Sequence, residues 1–263
     1  MQASRSASSL AATALPVPRP YGLRQIGHAL AAGASTFLTL PAPSLALAAI
    51  AAVVGGALLA ALGALGLAPM ALPVAGGFLL LAPALLDGFF HLAELPERAE
   101  RPRLRRALSA IVRAPGGIWL LRLLCAFLFL IWITDAAILY SMMIGGEALG
   151  YGAPWLIRLQ PAVIGFELWA ALMGAVLAGI VFTVTAFSIP LLYEGRAGLV
   201  QAVSASVRAV LGNPAASLVW GLLLGATTLV SILLLPLLCV TLPVLAYASL
   251  ALYREVFPPA PDG

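Results

Sequence analysis

The sequence predicts an all-α, polytopic membrane protein of six transmembrane helices, with amphipathic helices along the cytoplasmic surface. Three observations predict it. Apolar residues make up 62% of the 263 and charged residues only 9%, against about 25% charged in soluble domains. The apolar residues fall into runs of about 18 or more, long enough to cross a hydrocarbon core roughly 30 Å thick. The 14 basic residues are all arginine, and nearly all of them sit in the gaps between those runs. The net charge of +4 therefore orients a chain in a bilayer and gives no reason to expect a nucleic-acid partner.

Residues 1–20 are rich in Ser, Ala, Pro and Arg and hold no acid. They lack the apolar core of a secretory signal and read as a disordered cytoplasmic tail. An organellar transit peptide is the alternative reading of the same composition. Residues 21–42 follow as an interfacial amphipathic helix and linker. Leu23, Ile26 and Leu30 share one helical face, with Arg24, Gln25 and His28 mostly off it. Pro41 and Pro43 then punctuate the chain.

Residues 43–257 form the predicted transmembrane domain. Its spans are expected at about 45–67, 71–92, 118–142 and 162–192, with Pro69 marking a tight turn after the first. Residues 215–254 are too long for one span, at about 60 Å of helix. They must fold back, near Leu235 and Pro236, to give spans five and six. Residues 258–263 are a second disordered tail.

The charges support this count. With the amino terminus inside, the cytoplasmic side receives Arg5, Arg19, Arg24, Arg98, Arg101, Arg103, Arg105, Arg106, Arg113, Arg196, Arg208 and Arg254. The outside receives only Arg158, while Arg122 lies within span three near its inner end. That asymmetry predicts a multi-pass protein of the bacterial inner membrane with both termini cytoplasmic.

Each longer inner loop carries an amphipathic helix. Leu104, Leu108, Ile111 and Val112 oppose Arg105, Arg106 and Arg113 in one. Leu199, Val203, Val207, Val210 and Leu211 form the stripe of the other, which Asn213 and Pro214 end. Both should lie on the membrane surface, where anionic lipid headgroups attract the Arg-rich one by about 1 kcal/mol per charge. The halves echo each other weakly. Pro83 with Asp87 and Gly88 ends span two, and Pro190 with Glu194 and Gly195 ends span four. A duplicated three-span unit and the ordinary recurrence of such exits both fit.

Ionisable groups within a membrane are functional candidates by default. Four stand out: Asp87, Arg122, Asp135 and Glu167. Asp87 and Arg122 both fall in the inner half and are expected to pair as a structural salt bridge. His91, one turn beyond Asp87, reads as an interfacial histidine. Asp135 and Glu167 lie in the outer half without an obvious basic partner except Arg158. Asp135 is either neutral or lines a polar cavity. The five tryptophans, Trp119, Trp132, Trp155, Trp169 and Trp220, read as interface anchors. Cys125 and Cys239 read as small buried hydrophobes. Gly55, Gly56, Gly76 and Gly77 read as close helix contacts. No nucleophile has a His–acid pair, and no phosphate-binding loop or zinc motif is present. The sequence thus predicts no catalytic site, no metal site and no cofactor.

The second half resembles a bacterial family of polytopic membrane proteins, domain of unknown function 2189. The likeness rests on Phe187, Ser188, Ile189 and Pro190 with the two leucines after them. It continues in the 202–208 helix with its serines, then in Asn213, Pro214, Trp220, Pro243, Tyr253 and Arg254. Residues 77–83, from Gly77 to Pro83, and 135–140, from Asp135 to Tyr140, extend it into the first half, so that it covers roughly 25–256. The resemblance implies a multi-pass membrane protein and no defined activity. Some members carry a label suggesting a cytochrome c oxidase subunit. A haem–copper centre needs several histidines, and this chain has only His28 and His91. Family members tend to carry histidines ahead of the Tyr–Arg pair, where this chain has Tyr247 and Ala251.

These readings favour a non-catalytic accessory, assembly or scaffolding protein that binds a membrane-protein partner. The alternative is a small transporter or channel that uses Asp135 and Glu167. A membrane-embedded enzyme ranks third.

Overall fold

The computed structural model describes residues 16–95, 104–145 and 160–258. Among these residues the regular elements are all helical, and six helical stretches are long and apolar enough to span a bilayer. Helix α1 is Leu23–Thr39, and α2, the first span, is Pro41–Ala64. The second span is composite: a 3-10 turn Ala68–Met70, α3 Ala71–Leu81, a second 3-10 turn Ala82–Leu85 and α4 Leu86–Glu94. After α5 (Leu104–Val112) comes the third span, α6 (Gly116–Met143). The fourth joins α7 (Pro161–Thr185) to α8 (Ser188–Tyr193). Then follow α9 (Leu199–Gly212), α10 (Pro214–Leu233) and α11 (Leu235–Val256). The expected tails fall largely outside the described residues, as do Arg98, Arg101, Arg103, Trp155 and Arg158.

Proline sets most of the starts. Pro41, Pro161 and Pro214 each occupy a first helical position, where the missing N–H leaves no gap in the ladder. Leu234 separates α10 from α11, one residue from the expected fold-back. Six spans return both ends of the chain to one face, here the terminal face. The Arg19 N–H donates to the Val256 carbonyl at 2.8 Å, which ties the chain before α1 to the end of α11.

The first helix departs from a simple surface helix. It runs on to Thr39, and its Ile26, Ala29 and Gly33 stripe is buried against α11. A Cβ on Gly33 would meet the Val244 carbonyl oxygen at 2.5 Å and the Ala248 nitrogen at 2.7 Å. The apolar stripe read as facing lipid is therefore largely a protein contact. Helix α11 is the hub of the bundle, packing on α1, α2, α4 and α10. Tyr21 locks the start of α1. Its phenol shares a 2.6 Å hydrogen bond with Ser217, and its N–H donates to Asn213 Oδ1 at 3.1 Å. Burial pushes the Tyr21 phenol above its ordinary pKa, with the Ser217 bond pulling the other way.

The buried faces of the loop helices match the expected stripes only in part. In α5, Leu104, Ala107 and Ile111 face the bundle while Leu108 and Val112 are exposed. In α9 the buried residues are Ala202, Ala205, Ser206, Ala209 and Val210, and Leu211 is exposed. Small residues win because α9 lies close against other backbones. At the break between α7 and α8, Ser206 donates to the Thr183 carbonyl at 2.8 Å and accepts from the Phe187 N–H at 3.2 Å. Those two groups would be partners in a continuous α-helix. One hydroxyl stands between them and satisfies both, so the span bends without leaving a polar group bare.

Of the paired glycines, one of each pair makes a close contact. A Cβ on Gly56 would meet Leu235 at 2.9 Å, and one on Gly77 would meet Phe129 at 2.5 Å. Gly33→Val forces backbone to move, because the facing atoms are main chain. We expect it to cost about 1–3 kcal/mol and to make the segment before Pro41 accessible to protease in detergent. Unchanged thermal unfolding and cleavage would show that α1 is not docked in this way.

Candidate functional site

Asp87 and Arg122 form the buried polar centre of the bundle. The Arg122 guanidinium donates to Asp87 Oδ2 at 2.5 Å, with the side chains 8% and 1% exposed. It also donates to the Ile111 carbonyl at 2.5 Å and lies 4.8 Å from the Trp119 ring centroid. Ile111 is in the last turn of α5, and the residue four places on is Pro115, which has no N–H to offer. Arg122 takes that orphan carbonyl. Gly88 makes the approach possible, since a Cβ there would meet Ile111 Cδ1 at 2.7 Å. The expected pair is thus a three-element clasp joining α4, α5 and α6. Asp87 Oδ1 and Arg122 Nε have no hydrogen-bond partner. His91 is half-buried one turn further along α4.

Sequence reasoning missed a second cluster, on the terminal face. Glu94 ends span two, Glu194 follows span four and Arg254 closes span six. Arg254 donates to Glu194 Oε1 at 3.2 Å and lies 3.9 Å from Glu94. Tyr253 donates to Glu194 Oε2 at 2.7 Å, and Tyr193 donates to Glu94 at 3.2 Å. Arg196 donates to the Tyr253 hydroxyl at 3.0 Å and to the Phe257 carbonyl at 2.6 Å. The signal was present as acids and arginines at successive span ends, but no spacing rule relates residues so far apart in the chain.

The two acid–glycine pairs play different parts. Gly195 adopts φ +66° and stops its helix, with the Arg196 N–H reaching back to the Leu191 carbonyl at 3.0 Å. Gly88 lies inside α4, which continues to Glu94, so the Asp87 motif is not a span exit. Both spans do break near their proline, at Ala82–Leu85 and at Ala186.

The outer acids are not brought into a common pathway with the clasp. Asp135 is exposed on α6, on the stripe that carries exposed Ile131, Ile138 and Met142. Glu167 is half-buried on α7, and its Oε1 is buried without a hydrogen-bond partner. Neither lines the two adjoining cavities, of about 550 and about 140 Å³, between α7 and α10. Two tryptophans do line them and are core residues, not interface anchors. Trp132 and Trp220 are each 2% exposed, and the Trp132 indole donates to the Pro73 carbonyl at 2.8 Å. Trp119 and Trp169 are half exposed. Cys125 is buried and Cys239 half-buried. Among the described residues no three His, Cys, Asp or Glu side chains come together as a metal site.

Six helices long and apolar enough to span a bilayer, with a buried ion pair between the second and third, define a polytopic helical integral membrane protein. Residues 70–194 match the model of a family described as predicted integral membrane protein, domain of unknown function 2189. The match takes in Gly77 to Pro83, Asp135 to Tyr140, Phe187 to Leu192, and both partners of the clasp. It is narrower than the sequence motifs suggested, leaving out those from Ala202 to Arg254. No curated protein and no solved structure matches the chain.

A carboxylate already bonded to a guanidinium is a structural pin. Arg122→Met strands Asp87 at 1% exposure and should cost about 3–5 kcal/mol of stability. Asp87→Leu combined with Arg122→Met should recover most of that, because neither charge is then left alone. Thermal unfolding in detergent checks both, and an unaltered midpoint for Arg122→Met would remove the clasp from the account of stability.

Proposed function

We propose that this protein is a non-catalytic accessory or scaffolding component of the bacterial inner membrane that docks a membrane-protein partner on the outward face of α6. Asp135 carries the reading. An acid inside a span normally faces the bundle interior or a water-filled cavity. Asp135 instead shares an exposed stripe with Ile131, Ile138 and Met142 and lines neither cavity. A neighbouring membrane protein that covers this face and bonds the carboxyl would relieve the cost. The terminal face is taken as cytoplasmic, following the arginine asymmetry. There exposed Arg105, Arg106 and Arg113 would engage anionic headgroups.

One observation favours the rival reading of a small transporter: the buried, unbonded Glu167 Oε1. Two measurements separate the readings. Asp135→Leu should abolish co-purification of a stoichiometric partner in mild detergent while leaving the unfolding midpoint unchanged or slightly raised. Proton or cation flux in proteoliposomes that falls in Asp135→Asn and Glu167→Gln would establish transport instead. For orientation, a reporter fused at Gly150 should read as periplasmic and one after Pro258 as cytoplasmic. The same compartment for both would contradict six spans.

A further inference from the structure

The cleft between α7 and α10 is a different feature from the Asp135 face and carries its own reading. Gly174 and Ala178 on one side, Gly221 and Gly225 on the other, leave a slot above Leu79 of α3. The larger and smaller cavities share Ala178, Gly221, Gly225 and Leu79 and so adjoin, with walls that are mostly apolar. Small side chains alone would make this an ordinary loose helix contact. One hydroxyl makes it more.

Among the described residues, the buried hydroxyls of Ser44, Thr185, Ser188, Ser206, Ser217 and Ser231 each donate to a backbone carbonyl. Thr228 is 7% exposed, lines the smaller cavity, and makes no hydrogen bond. A threonine within a helix ordinarily bonds back to the carbonyl four residues earlier. Thr185 and Ser249, on the facing walls, do so at 2.7 and 2.8 Å. A bare hydroxyl in a hydrocarbon setting is costly. The cavity that Thr228 lines is where an outside partner would reach it.

We propose that this cleft binds one neutral lipid with a long hydrocarbon chain and a ring carbonyl, of the isoprenoid-quinone type, with the carbonyl accepting a hydrogen bond from Thr228. Four observations converge on that chemistry. The lining residues include no ionisable side chain, so a charged headgroup would lie there without a counter-ion. The larger cavity, about 550 Å³, falls within the roughly 300–1,000 Å³ of small-molecule sites. Trp132 on the wall of the larger cavity and Trp220 on the wall of the smaller one offer aromatic surface to a flat ring. Thr228 lies five residues before the end of α10, roughly 8 Å inside it.

The test uses the full chain in mild detergent, titrated with decylubiquinone and read by tryptophan quenching and native mass spectrometry. Saturable binding of one quinone per chain is expected, with the quenching much reduced in Trp132→Phe. Thr228→Val keeps the shape and removes the donor, and should weaken binding about fivefold to tenfold, the worth of one hydrogen bond. Thr228→Ser should bind as the unaltered chain does, and it serves against Thr228→Ala if the valine variant fails to fold. Asp135→Leu should leave quinone binding unchanged, which separates this site from partner docking. Equal affinity with and without the hydroxyl would overturn the proposal. So would unsaturable quenching, or equal competition by a brominated phosphatidylcholine, the mark of a slot that holds bulk lipid chains only.

Discussion

In a hydrocarbon setting a polar group must find its partner within the protein, and most of this structure follows from that constraint. The backbone meets it by being helical. The breaks meet it by borrowing side chains: Ser206 fills the gap between α7 and α8, and Arg122 takes the carbonyl that Pro115 leaves orphaned at the end of α5. Hydroxyls along the spans fold back on their own helices. Against this background the unpaired groups become informative. Asp87 Oδ1, Arg122 Nε, Glu167 Oε1 and the Thr228 hydroxyl are where the protein's own bonding stops, and Asp135 faces outward from its span.

Charge is used in two distinct ways. The Asp87–Arg122 clasp lies inside the bundle, where breaking it by removing one partner is far more damaging than replacing both. The terminal-face network of Glu94, Glu194, Arg196 and Arg254 is partly exposed, and its ion pairs are individually weak. Its value is positional. It ties the ends of spans two, four and six, and with Tyr193 and Tyr253 it makes one frame from elements far apart in sequence. Together with the docking of α1 on α11, this frame ties the helix ends of the terminal face to one another. The opening between α7 and α10 is flanked by Gly174, Ala178, Gly221 and Gly225, whose small side chains leave it unfilled.

Much of the architecture was legible because membrane spans are coded locally. Length and hydropathy place the six spans to within a few residues, and proline marks their beginnings. Asp87 and Arg122 could be paired from sequence because both fall at the same depth on successive spans. The Asp135 and Glu167 positions were legible as charges out of place, but not the directions they face. The faces of α5 and α9 were legible only in part, for a physical reason. A stripe of large apolar residues is equally suited to lipid and to protein, whereas close packing between helices selects alanine, glycine and serine.

What the sequence by itself determined is therefore the number of apolar stretches long enough to span, their approximate ends, the gaps into which the arginines fall and the acids that break the apolar pattern. These depend on transfer of each segment from water to hydrocarbon, which is a sum over neighbouring residues. Only the tertiary structure decided that α1 lies on α11, that Trp132 and Trp220 are core residues, that Ser206 repairs a helix break, and that Thr228 alone among the buried serine and threonine hydroxyls described goes without a hydrogen bond. Once the spans are in the membrane, their apolar surfaces gain little by choosing one another over lipid. The arrangement is then set by close fit and by a few polar contacts between distant residues, neither of which is written in local composition.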